Sequence, residues 1–130
     1  MVTEQKAREA TLRAFAIYNT MDASVIASFY DQLLTPDCVY HNPGVGHLVP
    51  DRESIKEFVR GLYDAIPDLY HNAPDDLIVQ GDKVAVRYSV SRTDPDSGKR
   101  QRCMILAIDH YVGDKIAEMW ELVGPWEDEA

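Results

Sequence analysis

The sequence predicts an α+β fold in which helices come first and a curved antiparallel sheet follows. Three observations carry that expectation. Up to about Ile66 the apolar residues recur at helical spacing; beyond Asp76 they alternate with polar ones; and the pairs Gly81-Asp82 and Gly113-Asp114 separate the alternating runs. Glycine tolerates the positive φ that a tight hairpin turn requires, so each pair marks a reversal of the chain.

Taken in order, residues from about Thr3 to Thr20 lack Gly and Pro and repeat Ala7, Ala10, Ala14, Ile17 and Tyr18 along one stripe, which predicts a first helix. Asp22 caps a second, built on Val25, Ile26, Phe29, Tyr30 and Leu33 and stopped by Pro36. Cys38-Val39-Tyr40-His41-Asn42 is a short β-prone run, and Pro43 to Pro50 reads as a loop. Asp51 caps a third helix on Ile55, Phe58, Val59, Leu62 and Ile66, ended by Pro67. Strands follow over Asp76 to Gln80, Lys83 to Arg92 and from about Lys99 onward, the last leading into the hairpin Met104 to Val123. The order α-α-β-α-β-β-β-β suits one sheet wrapped on helices.

Composition narrows the function. The chain has 130 residues, enough for one core and too few for two, so residues 1–130 read as a single domain with an acidic tail from about 125 that is expected to be solvated. A formal net charge of −9 argues against a nucleic-acid partner, because phosphate binding needs a basic surface. No apolar run approaches a membrane span and the N-terminus lacks a signal-peptide core, so no membrane partner and a cytoplasmic location are expected. Cys38 and Cys103 have no metal-ligand spacing and read as buried free thiols. Nothing resembles a phosphate loop, the histidines are scattered, and no cofactor or metal is expected.

The closing hairpin holds the residue that needs explaining. With a tight turn at Gly113-Asp114 and regular pairing beyond it, one side of the ribbon carries Leu106, Ile108, His110, Ala117, Met119, Glu121 and Val123. Glu121 is then a carboxylate in an apolar row. The opposite side, with Asp109, Tyr111, Glu118 and Trp120, is also too apolar for open water, so both faces are expected to be covered, one by helices and one by a second subunit.

The strings VYHNP, ESIKEFV, AIPDL, IVQGDKVAVRY and GDKIAEMWE, in this order, resemble the nuclear transport factor 2-like superfamily and, within it, the SnoaL-like polyketide cyclase group. The resemblance spans roughly Ala7 to Val123. It implies a cone-shaped fold with an apolar cavity between the helices and the concave sheet, and a homodimer through the outer sheet face. In that group an aspartate six residues after the turn lysine is the acid/base of an aldol ring closure, and the matching position here is Glu121. Limonene-epoxide-hydrolase-like members place a water-activating aspartate at the same position, and their tyrosine, asparagine and arginine match Tyr40, Asn42 and Arg87. Their second, proton-donating aspartate falls at Ser89, and the cyclases' histidine falls at Ala107. Ketosteroid isomerase is similar only over Ile108-Asp109-His110, and regular hairpin parity sets Asp109 on the face away from Glu121.

Two expectations conflict at Arg87. The alternation Val84, Val86, Tyr88, Val90 points the valines to the core and Arg87 to water. The resemblance implies the reverse, with Arg87 and Ser89 lining the pocket and Arg87 pairing with Glu121. The sequence therefore assigns catalysis to Glu121, Arg87, Tyr40 and Asn42. The pocket is assigned to Tyr18, Ser89, Leu106, Ile108, His110 and Met119, while His47 and His71 are read as solvated loop residues. The expected activity is cofactor-independent acid/base chemistry on a small, largely apolar metabolite, as a polyketide cyclase or isomerase. An epoxide hydrolase with water held by Tyr40, Asn42 and Glu121 is one alternative; a non-catalytic binding or interaction module is the other.

Overall fold

The computed structural model describes residues 2–129. Three helices form where the periodicity places them: α1 over Glu4–Tyr18, α2 over Ala23–Leu33 and α3 over Arg52–Ala65. Each begins at a side-chain cap. Thr3 accepts from the Lys6 N–H, Asp22 from Ser24 and Val25, and Asp51 from Ser54, which satisfies amide donors that the first turn leaves free and contributes about 1 kcal/mol per helix.

Among the described residues, eight strands make one sheet: β1 (Leu34–Asn42), β2 (His47–Val49), β3 (Tyr70–His71), β4 (Asp76–Gln80), β5 (Lys83–Thr93), β6 (Arg100–Val112), β7 (Lys115–Val123) and β8 (Glu127–Asp128). Their order is β2-β1-β7-β6-β5-β3, with β4 also on β5 and β8 on β6. The sheet is mixed and not wholly antiparallel, because β1 runs parallel to β7. The stretch read as a loop between Pro43 and Pro50 contains β2, paired with β1. His71 lies on β3, paired with Val90, and not in a loop.

The decisive feature is a β-bulge in the closing hairpin. Val112 pairs with Lys115 and Tyr111 with Ile116, as a tight turn at Gly113 (φ 65°) requires, but His110 then pairs with Glu118 and Ala117 is left as the extra residue. Side chains alternate with a period of two, so a one-residue slip exchanges faces. Ala107 therefore lies opposite Glu121 and Asp109 opposite Met119. The regular-register row is corrected: Leu106 and Ile108 are about half exposed and His110 shares their outer face, whereas Ile105, Ala107 and Tyr111 are buried against the helices.

On β5 the alternation rule holds and the pocket-facing expectation for Arg87 fails. Val84, Val86, Tyr88 and Val90 are buried, joining Phe15, Ile26, Phe29, Tyr30, Ile55 and Val59 from the helices. Arg87 points outward, where its Nε donates to Asp76 at 2.6 Å and its Nη1 lies 3.7 Å from Asp75. Ser89 shares that face and accepts from Asn72 at 3.1 Å. The acidic tail is not a free end either, since β8 pairs with Gln101 and Arg102. Cys38 and Cys103 are buried free thiols, and burial pushes them up to about 12 and about 11. No described helix is long and apolar enough to cross a membrane.

Candidate active site

Between the helices and the inner sheet face lies a branched cavity whose three arms, of about 90, 60 and 250 Å³, all reach Glu121.

Glu121 comes from β7 and is held by two phenols. Tyr40 on β1 donates to Oε1 at 2.6 Å and Tyr88 on β5 donates to Oε2 at 2.9 Å. Asn42, two residues along β1 and therefore on the same face as Tyr40, donates its Nδ2 to the Tyr40 hydroxyl at 3.1 Å. Burial and then the negative charge of Glu121 push both phenols above the ordinary tyrosine range, so they remain donors at neutral pH. The Asn42 Oδ1 is buried with no protein partner. A buried carbonyl oxygen of that kind is completed by water or ligand.

A second tyrosine pair lines the cavity from the helices. Tyr30 on α2 and Tyr18 on α1 share a hydroxyl–hydroxyl hydrogen bond of 3.0 Å. His71 stacks on Tyr18 with ring centroids 4.6 Å apart. Its backbone is clamped by Asn19, which accepts from the His71 N–H at 2.7 Å and donates to the His71 carbonyl at 3.0 Å. Burial lowers the imidazole to about 4, so it is neutral at physiological pH.

Asp109 is the residue that the bulge delivers. It lines the arm bounded by Thr11, Ala14, Tyr18, Tyr88 and Met119, together with Glu121. Among the described residues its carboxyl makes no hydrogen bond or ion pair, and burial, followed by the charge of Glu121, pushes it up to about 7. Two carboxyl groups in one cavity thus have opposite surroundings: Glu121 is held by two O–H donors and Asp109 by none. Such separated environments let one group hold a proton while another accepts one. Among the described residues no group of three or more His, Cys, Asp or Glu side chains could hold a metal ion.

Of the residues singled out from the sequence, the structure brings Tyr18, Tyr40, Asn42, Met119 and Glu121 to the cavity. It places Arg87, Ser89, Leu106, Ile108 and His110 on the other side of the sheet. Tyr88, Tyr30, His71, Asp109 and Trp126 line the cavity without having been assigned to it. For Tyr88 the signal was present, because it belongs to the apolar alternation of β5. For Asp109 it was hidden behind the bulge.

Residues 11–119 match the SnoaL-like domain family. The chain belongs to that family. No curated protein sequence matches it. Among solved structures it is similar to AclR from Streptomyces galilaeus, a proposed hydroxylase, at 21% identity and TM-score 0.75, covering 94% of this chain and 81% of that one. It is similar to IdmH from Streptomyces antibioticus, a proposed polyketide cyclase, at 22% identity and TM-score 0.74 over 92% of each chain. TerC, crystallised with polyporic acid, matches at 22% identity and TM-score 0.70 over 87% of each chain. These likenesses show a shared fold, helices packed on a mixed, curved sheet.

Proposed function

We propose that this SnoaL-like protein is a cofactor-independent acid/base enzyme that moves a proton at a carbon beside a carbonyl, in the cyclisation or isomerisation of a small, largely apolar polyketide-like metabolite. The observation that carries this reading is the inward carboxylate of Glu121, gripped by Tyr40 and Tyr88 at the junction of a cavity that also holds the unpartnered carboxyl of Asp109. Glu121 takes the proton. Tyr18, whose side chain lines the cavity beside Glu121, and Asp109 in its protonated form donate to the carbonyl oxygen on which charge develops. Arg87 has no part in this assignment, since its guanidinium is engaged by Asp76 outside the cavity. Family membership and the relation to IdmH support the class of substrate.

The direct test is hydrogen–deuterium exchange at the carbon beside the carbonyl of 1-tetralone, followed by proton NMR. The protein is expected to accelerate exchange, and Glu121→Gln to remove about 10²-fold or more of the acceleration. Equal rates in the two proteins would reject Glu121 as the base. A second reading, water activation for epoxide opening, draws on the orphaned Asn42 Oδ1 beside Tyr40 and Glu121, a place for a bound water. Turnover of an epoxide probe with no ketone exchange would favour it. We also propose a second copy of this chain as the cover for the outer sheet face, whose exposed Leu106, Ile108, Trp120 and Leu122 form a continuous apolar patch across β6 and β7.

A further inference from the structure

The widest arm of the cavity, about 250 Å³, is walled by Phe58 and Leu62 from α3, by His71 from β3, and by Trp126 from the C-terminal segment. That segment is stitched to the sheet on both sides of the indole. Before it, the Gly124 N–H donates to the Met104 carbonyl at 2.8 Å. The chain lies so close there that a Cβ on Gly124 would sit 3.3 Å from the same oxygen. After it, β8 pairs with β6, and the Glu129 N–H donates to the Arg100 carbonyl at 2.9 Å. The Glu129 carboxylate also accepts from the buried hydroxyl of Ser91 at 3.0 Å.

The indole is held as firmly as its backbone. The Arg92 guanidinium stands 4.3 Å from the centre of the Trp126 ring. Arg92 is itself fixed by Gln101, whose Oε1 accepts from Nε at 3.0 Å and from Nη2 at 2.9 Å. Among the described residues no aromatic ring stacks on Trp126. A half-buried indole that is braced by a cation and lines a cavity is a preformed, low-entropy surface for a flat ring.

We infer that Trp126 is a specificity-determining residue, the wall against which the planar aromatic part of the ligand stacks while its oxygen reaches Tyr40 and Glu121. Arg92 is the positioning residue that sets the plane of the ring. The inference rests on this cavity being the ligand site, as proposed above, and is independent of whether Glu121 is the base. A saturated ring of the same outline offers area but no π face, so selection of flat over puckered ligands is the signature of the indole.

The experiment uses Trp120→Phe protein, in which Trp126 is the one remaining tryptophan, with 2-naphthol as the flat probe and decahydro-2-naphthol as its saturated counterpart. Calorimetry reads affinity and the indole N–H resonance in a nitrogen–proton NMR spectrum reads contact. Saturable binding of 2-naphthol is expected to move that resonance, and the saturated alcohol to bind about tenfold more weakly. Trp126→Leu should abolish that preference and Trp126→Phe should retain most of it. Arg92→Met should narrow it while the saturated probe binds unchanged. Absence of 2-naphthol binding, an unmoved indole resonance on saturation, or an intact preference in Trp126→Leu would overturn the inference. Loss of the preference in both Leu and Phe variants would also overturn it, by making the effect one of the strap alone. Glu121→Gln, which tests the base, is expected to keep the preference, so the two assignments fail separately.

Discussion

The two faces of the strands β5 to β7 contradict the usual division of labour in a sheet. The inner face, packed on helices, carries two carboxyl groups, Glu121 and Asp109, among tyrosines. The outer face carries exposed Leu106, Ile108, Trp120 and Leu122 beside ordinary ion pairs such as Arg87 with Asp76. Polar groups inside cost stability and apolar groups outside cost solubility, so neither arrangement is what folding alone would select. The comparison teaches that the inner face gathers the polar groups that the proposed chemistry needs, that the outer face leaves apolar side chains uncovered, as the proposed second copy would require, and that one bulge residue, Ala117, decides which side chains lie on which face.

Removing Ala117 is the most severe way to break the comparison. With regular pairing restored, Met119, Glu121 and Val123 would have to exchange faces with Glu118, Trp120 and Leu122. The deletion is expected to cost about 3 kcal/mol or more, read as a fall in the urea midpoint, or to prevent folding. Retention of near-wild-type stability would show that the bulge is not what fixes the faces.

Next in size is the pH dependence of Asp109. Its folded pKa is raised to about 7 from an ordinary value of 3.8, so the folded state binds a proton that the unfolded state has already released. The stabilisation from that proton is complete below about 3.8 and is lost as pH rises through about 7. The other groups facing Asp109 are Tyr18, Cys38, Tyr88, Tyr111 and Glu121; burial raises the pKa of the tyrosines and of Cys38, so those four stay uncharged throughout this window. Asp109→Asn should therefore exceed the wild type by up to about 4 kcal/mol at pH 8 and lose nearly all of that advantage near pH 4, in paired urea titrations. His71 has the opposite sign. Its imidazole is lowered to about 4, so its contribution is full above the ordinary 6.5 and disappears as pH falls through about 4.

The outer face is sharpened by charge. Leu106→Glu together with Ile108→Glu is expected to dissociate the proposed dimer in sedimentation equilibrium while lowering the stability of the monomer by less than about 1 kcal/mol. A wild type that sediments as a monomer at high concentration would remove the second copy from the account. The smallest expected effect is that of Arg87→Met. It breaks a half-exposed ion pair and should leave both the urea midpoint and ketone exchange nearly unchanged. Loss of exchange in that variant would return Arg87 to the site.

What was legible in the sequence follows local physics. The helices declared themselves through Asp22, Asp51 and the period of their apolar residues, and the strands through alternation and the two Gly-Asp turns. The face of Tyr40 and Asn42 followed from their spacing by two, and the inward row of Glu121 with Met119 from the parity of a single strand. What failed was everything that depended on pairing two strands through the bulge: Leu106, Ile108 and His110 were placed inside and Asp109 outside, although Ala117 carries no sequence mark of an extra residue. Arg87 failed for another reason. The alternation of β5 already sent it to water, and the resemblance to a different branch of the fold outweighed that local evidence. His71 and Trp126 were hidden because β3, which carries His71, and β8, which follows Trp126, exist only through pairing with distant partners.

The central claim is that Glu121 and Asp109 line one cavity on the inner face of the sheet. Carbon NMR of the side-chain carboxyls, titrated in the wild type and in Glu121→Gln, tests it without a substrate. The account predicts that Asp109 titrates near 7 in the wild type and at lower pH once the charge of Glu121 is removed. An Asp109 midpoint in the ordinary carboxylate range, unmoved by the substitution, would contradict it.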